Sequence, residues 1–265
     1  MKVGALIPIR LASERLPGKA LLPVAGRPIV THLLDRLFAS RHLEPDRVVV
    51  CTTTDASDDP LVPVVEGAGA RVFRGSRDDI IDRFHGAVRS FGFEAVIQVD
   101  GDDPCADPGY MDLCMDRLLA DDSLGIVTAE GLPFGMASKA FRASALETVW
   151  AHHTSERNDT GFMYYFTRTG LCRTDAVTAR SPEHVLEGAR LTLDYPEDYA
   201  FFQALFDALH AEGRVFGVGE VVSLLRGRPD IVAINAGLDA GYWERTRQLA
   251  KIEYRVGNRT YTVEV

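Results

Sequence analysis

Through its first two-thirds the chain alternates short apolar runs with stretches whose apolar residues recur every three to four positions. Strands that alternate with helices in this way need crossover connections. The pattern therefore predicts βαβ units around a mainly parallel, Rossmann-like sheet. Val3–Pro8 reads as the first strand, and Ile29, Leu33, Leu34, Leu37 and Phe38 fall on one face of a helix over 29–39. The same reading gives strands over 47–52, 70–74, 94–99 and 124–130, and helices over 62–67, 80–91, 110–119, 143–152 and 196–212. Residues 189–194 read as a strand that delivers Asp194 to the sheet edge, and Tyr164, Tyr165 and Phe166 alternate as a strand would, for core packing or a subunit contact. The tail, 251–265, alternates around Gly257-Asn258 and predicts a hairpin. No repeat, low-complexity tract or interdomain linker interrupts the chain. The expectation is one α/β domain over 1–265, with a core over 1–130, a β-containing insertion over 131–190 and a C-terminal extension over 191–265.

At 265 residues, 46% apolar and 25% charged, the chain can bury a proper core. A formal net charge of −9 argues against nucleic acid as a partner, though it leaves room for a local basic pocket. No apolar run approaches the roughly 20 residues that span a bilayer. The first residues read as a buried strand rather than a leader, so a cytoplasmic protein without a membrane partner is expected. Cys51, Cys105, Cys114 and Cys172 include no CxxC pair and no zinc-finger spacing, and are read as buried, reduced thiols. His152 and His153 are adjacent on a helix and face apart, so they read as an exposed helix end rather than a metal pair. Tyr242-Trp243 reads as an anchor for the C-terminal segment.

The segment 8–19, Pro-Ile-Arg-Leu-Ala-Ser-Glu-Arg-Leu-Pro-Gly-Lys, follows the first strand directly, where open α/β sheets bind ligands. Arg10, Arg15 and Lys19 space three cations along a loop that Pro17-Gly18 must turn sharply. A triphosphate needs donors spread along its length, and guanidinium forks match phosphate oxygens in pairs. The loop is not a Walker A motif, because Lys19 is followed by Ala20 and position 13 is Ser13; no GxGxxG follows the strand either. Asp100-Gly-Asp102-Asp103-Pro104 closes another strand, and Asp194-Tyr-Pro-Glu197-Asp198 forms a second acidic cluster. Magnesium takes one or two protein carboxylates together with phosphate oxygens and water, so Asp102 and Asp194 are the candidate Mg²⁺ ligands. Glu197 and Asp198 are explained by a helix start.

In order and spacing these segments, with Phe73-Arg-Gly75-Ser76-Arg-Asp78-Asp79 and Arg190-Leu-Thr-Leu-Asp194, resemble the spore-coat-polysaccharide type cytidylyltransferases. Those are relatives of the CMP-ketodeoxyoctonate and CMP-sialic acid synthetases. The resemblance covers most of 1–205. It implies a nucleotide-diphospho-sugar transferase fold and a Mg²⁺-dependent transfer of CMP from CTP to a small-molecule acceptor, with release of pyrophosphate. It also implies that Arg10, Arg15 and Lys19 hold the triphosphate, that Ala12, Ser13, Gly75, Ser76 and Arg83 line the nucleobase pocket, and that the protein is a homodimer. The core over 1–130 would then be the nucleotide-binding part, 131–190 the acceptor and dimer insertion, and 191–265 the part that carries the second metal aspartate.

Two departures bear on the acceptor. The family pattern Gly-Leu-Asp-x-Glu-x-Phe is here Gly135-Met-Ala-Ser-Lys139-Ala-Phe141, and Arg-Glu-His-Val-Thr is altered to Glu156-Arg157-Asn158-Asp159-Thr160-Gly161. A lysine where the family has an acid makes the pocket less hostile to anions, so Lys139 and Arg157 are candidates to bind a carboxylate, phosphate or phosphonate. Lys139 as a surface residue on a drifted loop is the competing explanation. For the whole chain the alternatives are a guanylyl- or uridylyltransferase acting on a sugar 1-phosphate, a catalytically inactive nucleotide-binding homologue, and a glycosyltransferase using Asp100-Gly-Asp102 as an Asp-x-Asp motif. No residue stands out as a general base.

Overall fold

A computed structural model describes residues 1–155, 157–158 and 160–264. Strand β1 (Val3–Pro8) leads through a loop and the two-residue strands β2 (Pro23–Val24) and β3 (Arg27–Pro28) into helix α1 (Ile29–Phe38). There follow β4 (Val48–Thr53), α2 (Leu61–Gly67), β5 (Arg71–Gly75), α3 (Ile80–Phe91), β6 (Ala95–Gln98) and α4 (Pro108–Leu119). The chain continues with β7 (Ile126–Glu130), β8 (Lys139–Arg142), α5 (Ala143–His152), α6 (Tyr164–Thr167) and β9 (Thr174–Thr178). Helices α7 (Pro196–Leu209), α8 (Val218–Gly227), α9 (Pro229–Val232) and α10 (Leu238–Leu249) precede a hairpin of β10 (Ile252–Val256) and β11 (Arg259–Val263).

Among the described residues seven strands form one mixed sheet in the order β5-β4-β1-β6-β8-β7-β9. The β5, β4, β1 and β6 neighbours run parallel, β8 is antiparallel to both β6 and β7, and β9 is parallel to β7. Period-two alternation divides the strand side chains between two cores. Ala5, Ile7, Val48, Val50 and Ile97 face the helices α1, α2, α4, α7 and α8, whereas Leu6, Val49, Cys51, Val96 and Phe141 face α3, α5 and α6. Local signals set the helix starts. Asp79 and Asp107 cap α3 and α4 through their carboxylates, and Pro108 and Pro196 occupy first-turn positions.

The connections out of β1 and β6 diverge, because β1 leads to β4 on one side of the pair and β6 leads to β7 on the other. This is a topological switch point, where open α/β sheets leave a crevice at strand carboxyl ends. The loop after β1 and the Asp100–Asp103 turn after β6 both open into it.

Two expectations are corrected. Residues 189–194 run extended but form no ladder strand; they meet residue 134 through a single Phe134–Arg190 bridge, with the Leu191 N–H donating to the Phe134 carbonyl at 2.7 Å. Tyr164–Phe166 lies in a short helix, although Tyr165 and Phe166 are fully buried as core residues. The segment 131–190 contributes β8 and β9 to the main sheet. The predicted terminal hairpin forms around Gly257-Asn258.

Gly135 sits where the 134–135 backbone presses on the extended segment. Its φ is +92°, and a Cβ there would fall 2.1 Å from the Leu191 carbonyl oxygen. Gly92, at the end of α3, also has positive φ (+67°) but faces open space. We expect Gly135→Ala to cost more than about 2 kcal/mol in denaturant unfolding and Gly92→Ala only about 1 kcal/mol. Equal costs would contradict the backbone contact.

Candidate active site

The loop after β1 is held by its own backbone and by one buried carboxylate. The Gly18 N–H donates to the Leu11 carbonyl at 2.9 Å, and Gly18 takes the left-handed conformation (φ 69°) that the Pro-Gly pair implied. Asp58 accepts from the Leu11 N–H at 2.7 Å and from the Thr52 hydroxyl at 2.9 Å, and also binds the Thr53 N–H and hydroxyl. A single 3-10 turn, Lys19–Leu21, then directs Lys19 inward.

The Lys19 ammonium donates to Asp102 Oδ2 at 2.9 Å, to Asp194 Oδ1 at 3.0 Å and to the Leu193 carbonyl at 2.6 Å. The Leu193 N–H donates to the Asp102 carbonyl at 2.7 Å, which locks the two acidic segments side by side. Asp194 is the more enclosed of the two, with 2% of its side chain exposed against 31% for Asp102. Arg15 reaches Asp194 Oδ1 at 2.5 Å and Arg190 reaches Oδ2 at 2.8 Å.

Arg190 is buried and also binds Asp198, Nε to Oδ1 at 3.0 Å. Asn235 donates to that same oxygen at 2.8 Å and to the Arg190 carbonyl at 3.0 Å. Asp198 Oδ2 accepts the Asp194 and Tyr195 N–H groups. Asp198 is therefore more than a helix-start residue: it starts α7 and buttresses the arginine that orients Asp194. Sequence reading gave Arg190, Asn235 and Asp58 no role. A signal for Arg190 was present, a cation heading an apolar run with carboxylates four and eight residues on.

Burial opposes the Lys19 charge, but Asp102 and Asp194 outweigh it and hold its pKa above the ordinary lysine value. Burial works against the Asp194 charge too, yet Lys19, Arg15 and Arg190 keep this carboxyl below its usual range. Asp102 moves the other way, raised by burial and by Asp194 and Asp100, with Lys19 offsetting only part. Asp103 is pushed well above the carboxylate range by burial and by its neighbours Asp102 and Asp100.

Asp100 faces a different partner. Its Oδ2 binds the Lys139 ammonium at 2.6 Å and its Oδ1 accepts from Gln98 at 2.8 Å. The two carboxylates of the Asp-x-Asp run thus face different cations, Asp100 the Lys139 ammonium and Asp102 that of Lys19. Lys139 is not a surface residue on a drifted loop: it lies on β8 in register with Gln98, and 19% of its side chain is exposed.

A cavity of ≈ 510 Å³ joins these groups; Arg10, Ser13, Arg15, Lys19, Arg83, Asp102, Lys139, Arg157 and Asp194 all line it. A second, adjacent cavity of ≈ 390 Å³ is lined by Ala12, Thr53, Asp55, Arg77 and Asp78 and shares Arg10, Glu14 and Arg157 with the first. Gly75 and Ser76, expected at the nucleobase, line neither cavity. Arg83, which does line the main cavity, binds the Ser76 carbonyl at 2.8 Å and the Cys51 and Arg77 carbonyls at 3.2 Å through its guanidinium. Tyr242 and Trp243, read as an anchor, form part of the main cavity wall.

His153 is not an exposed helix end. Its side chain is 11% exposed and joins Asp79 Oδ2 at 2.9 Å and the Trp150 carbonyl at 2.7 Å. Both partners are acceptors, so both ring nitrogens carry protons, and Asp79 raises the pKa above the usual histidine value against the effect of burial. Asn158 completes the cluster, accepting from the Ile80 N–H and donating to Asp79, each at 2.7 Å. Of the altered run at 156–161, Glu156 and Asp159 lie outside the described residues. The four cysteines are free thiols with raised pKa, Cys51 and Cys114 pushed by burial to about 12. Among the described residues no helix is long and apolar enough to cross a membrane.

A switch-point crevice lined by spaced cations and paired carboxylates, on a Rossmann-like mixed sheet, defines a nucleotidyltransferase. The family model for cytidylyltransferases matches residues 4–206, and the chain belongs to that family, whose members transfer CMP from CTP. It is 28% identical over 240 residues to the spore coat polysaccharide biosynthesis protein SpsF of Bacillus subtilis, covering 85% of this chain and 94% of that protein. It is 34% identical over 176 residues, 64% of each chain, to the 3-deoxy-manno-octulosonate cytidylyltransferase of Yersinia pseudotuberculosis. The solved structure of a cytidylyltransferase from Leptospira borgpetersenii superposes with a TM-score of 0.79 at 28% identity, covering 88% of this chain and 97% of that one.

Two outcomes follow from the charge network. Arg190→Met should lower stability by about 3–5 kcal/mol in urea unfolding, because it takes the cation from buried Asp198 and one of the three from buried Asp194; a loss under about 1 kcal/mol would contradict the geometry. His153, with a raised folded pKa, stabilises the fold fully below its unfolded value of about 6.5 and loses that contribution as pH rises through the folded value. The wild type should therefore lose stability from about pH 6 upward, and His153→Asn should flatten that part of the curve.

Proposed function

We propose that this enzyme transfers CMP from CTP, with Mg²⁺, to an acceptor that carries a carboxylate, phosphate or phosphonate. The observation that supports this most strongly is the Lys19 ammonium shared by Asp102 and Asp194 at 2.9 and 3.0 Å on the cavity wall. Cations spread along the opening loop and carboxylates from two distant segments meet at one point, which is the arrangement a metal-bound triphosphate requires.

The residues fit magnesium. Among the described residues no three His, Cys, Asp or Glu side chains are grouped to hold a metal, but two aspartates suffice for an ion that keeps phosphate and water ligands. Asp102 and Asp194 would hold it. When bound, the ion neutralises charge on the phosphates and eases the departure of pyrophosphate. Arg10, Arg15 and Lys19 would bind the triphosphate, Arg15 by exchanging a carboxylate oxygen for a phosphate oxygen. The second cavity, with Ala12 on its wall and Arg10 shared with the first, would take the nucleoside. The acceptor oxygen attacks the α-phosphorus in line with the leaving pyrophosphate, a reaction governed mainly by positioning. A phosphate or phosphonate acceptor needs no general base.

For the acceptor, Lys139 and Arg157 on the main cavity wall support an anion. Lys139 is half of an ion pair with Asp100, so it offers a donor at a neutral pair rather than an unbalanced charge. Removing it would leave Asp100 facing the acceptor.

A pyrophosphate-release screen of the four NTPs with Mg²⁺, against neutral sugars, acidic sugars, sugar phosphates and phosphonates, tests the reading. We expect turnover with CTP and acidic acceptors; preference for neutral sugars would defeat the acceptor assignment, and a requirement for an NDP-sugar donor would overturn the whole. Lys19→Met and Asp102→Asn should each lower kcat/KM by about 100-fold or more. Lys139→Gln should raise the acceptor KM about tenfold and leave the KM for CTP nearly unchanged.

A further inference from the structure

Helix α10 lies outside the matched segment 4–206, yet its residues Tyr242, Trp243, Arg245 and Thr246 line the main cavity. Arg245 ties the helix to the opening loop through Glu14, at 2.5 Å. The Tyr242 ring lies 5.8 Å from the Arg15 guanidinium carbon and 4.7 Å from that of Arg190. On the same two guanidiniums the Tyr195 ring sits at 4.8 and 5.7 Å. Phe134 packs 5.2 Å from Tyr242, ring centre to ring centre, and 5.5 Å from the Arg190 guanidinium. Two arginines that share the Asp194 carboxylate are thus enclosed by one set of aromatic rings.

We propose that Tyr242 is a positioning residue for nucleotide binding: with Tyr195 it holds the Arg15 guanidinium against the cavity wall, ready to take a phosphate oxygen of the triphosphate. The proposal rests on the reading of Arg15 as a triphosphate ligand. An arginine side chain loses considerable rotamer freedom when it is fixed in one geometry. Aromatic faces attract a guanidinium through the ring quadrupole and through stacking, and they do so without competing for its N–H groups. Arg15 can therefore leave Asp194 for phosphate while its plane stays against the rings. Arg190 gains less from Tyr242, because Asp194, Asp198 and Asp239 already fix it. The C-terminal extension, on this account, completes a phosphate site whose charged members all come from the matched segment.

Calorimetric titration of the full chain with CTP and with CMP, each with Mg²⁺, tests the proposal. CMP lacks the β- and γ-phosphates, so the pair separates help with the triphosphate from general support of the pocket. Tyr242→Ala and Tyr242→Leu should each weaken CTP binding by about tenfold and CMP binding by less than about twofold. Tyr242→Phe, which keeps the ring, should restore CTP binding. In an Arg15→Ala background the Tyr242→Leu change should have no further effect, since the two residues act as one unit. Tyr242→Leu retains apolar bulk, so its result stands even if the alanine variant folds poorly. Unchanged CTP binding in Tyr242→Leu, equal losses for CTP and CMP, or a full tenfold loss in the Arg15→Ala background would each overturn the role of Tyr242 alone. A wild-type protein that binds no CTP would instead remove the nucleotide reading and this proposal with it.

Discussion

One ammonium group holds the site together. Lys19 places its charge between Asp102, 83 residues away, and Asp194, 175 residues away, and also donates to the Leu193 carbonyl. Burying a charge costs several kcal/mol unless partners replace water around it. Here all three protons of the ammonium have an acceptor, and the Leu193–Asp102 backbone bond fixes the spacing of the two carboxylates. An uncharged side chain at position 19 would leave Asp194 with its two arginines and Asp102 with much less compensation. The fold is arranged around that requirement: the switch point between β1 and β6 opens the crevice, and a left-handed glycine turns the chain back so that Lys19 reaches it.

The charges beyond Lys19 form a graded series rather than a uniform patch. Asp194 is fully compensated by one lysine and two arginines, Asp100 is neutralised by Lys139, Asp102 is only partly offset, and Asp103 is driven toward its neutral form. A ligand that brings its own anionic oxygens and a dication can exchange with this network one partner at a time. On the proposed function, Arg15 and Lys19 would pass from carboxylate to phosphate without leaving any charge bare. Arg190 stays in place, because Asp198 and Asn235 grip it from behind.

Much of this was legible in the order of residues. The β/α alternation gave the sheet and the helices on its faces, since periodicity reports which side of an element is buried. Arg10, Arg15 and Lys19 were visible as cations on a turn after the first strand, and Asp102 as a carboxylate in a Gly-Asp-Asp-Pro turn that capping does not explain. What was hidden depends on contacts between distant segments. The 189–194 segment looks like a strand because its side chains alternate, yet its backbone partners are split between Phe134 and Asp102. Asp58 stabilises the opening loop from 47 positions away and carries no local signature. Lys139 was visible as a departure, but only the register of β8 against β6 shows that Asp100 answers its charge. Gly75 and Ser76 were placed by resemblance at the nucleobase; they line neither cavity, and the Arg83 contact to the Ser76 carbonyl could not be read from spacing.

Anomalous diffraction measures the convergence of Lys19, Asp102 and Asp194 on one metal-bound nucleotide directly. Crystals grown with CTP and Mn²⁺ should show one manganese peak in contact with carboxylate oxygens of both Asp102 and Asp194, with the Lys19 ammonium moved onto a phosphate oxygen of the same nucleotide. A manganese peak away from these two aspartates, or a triphosphate bound with the Lys19 bridge intact, would contradict the account.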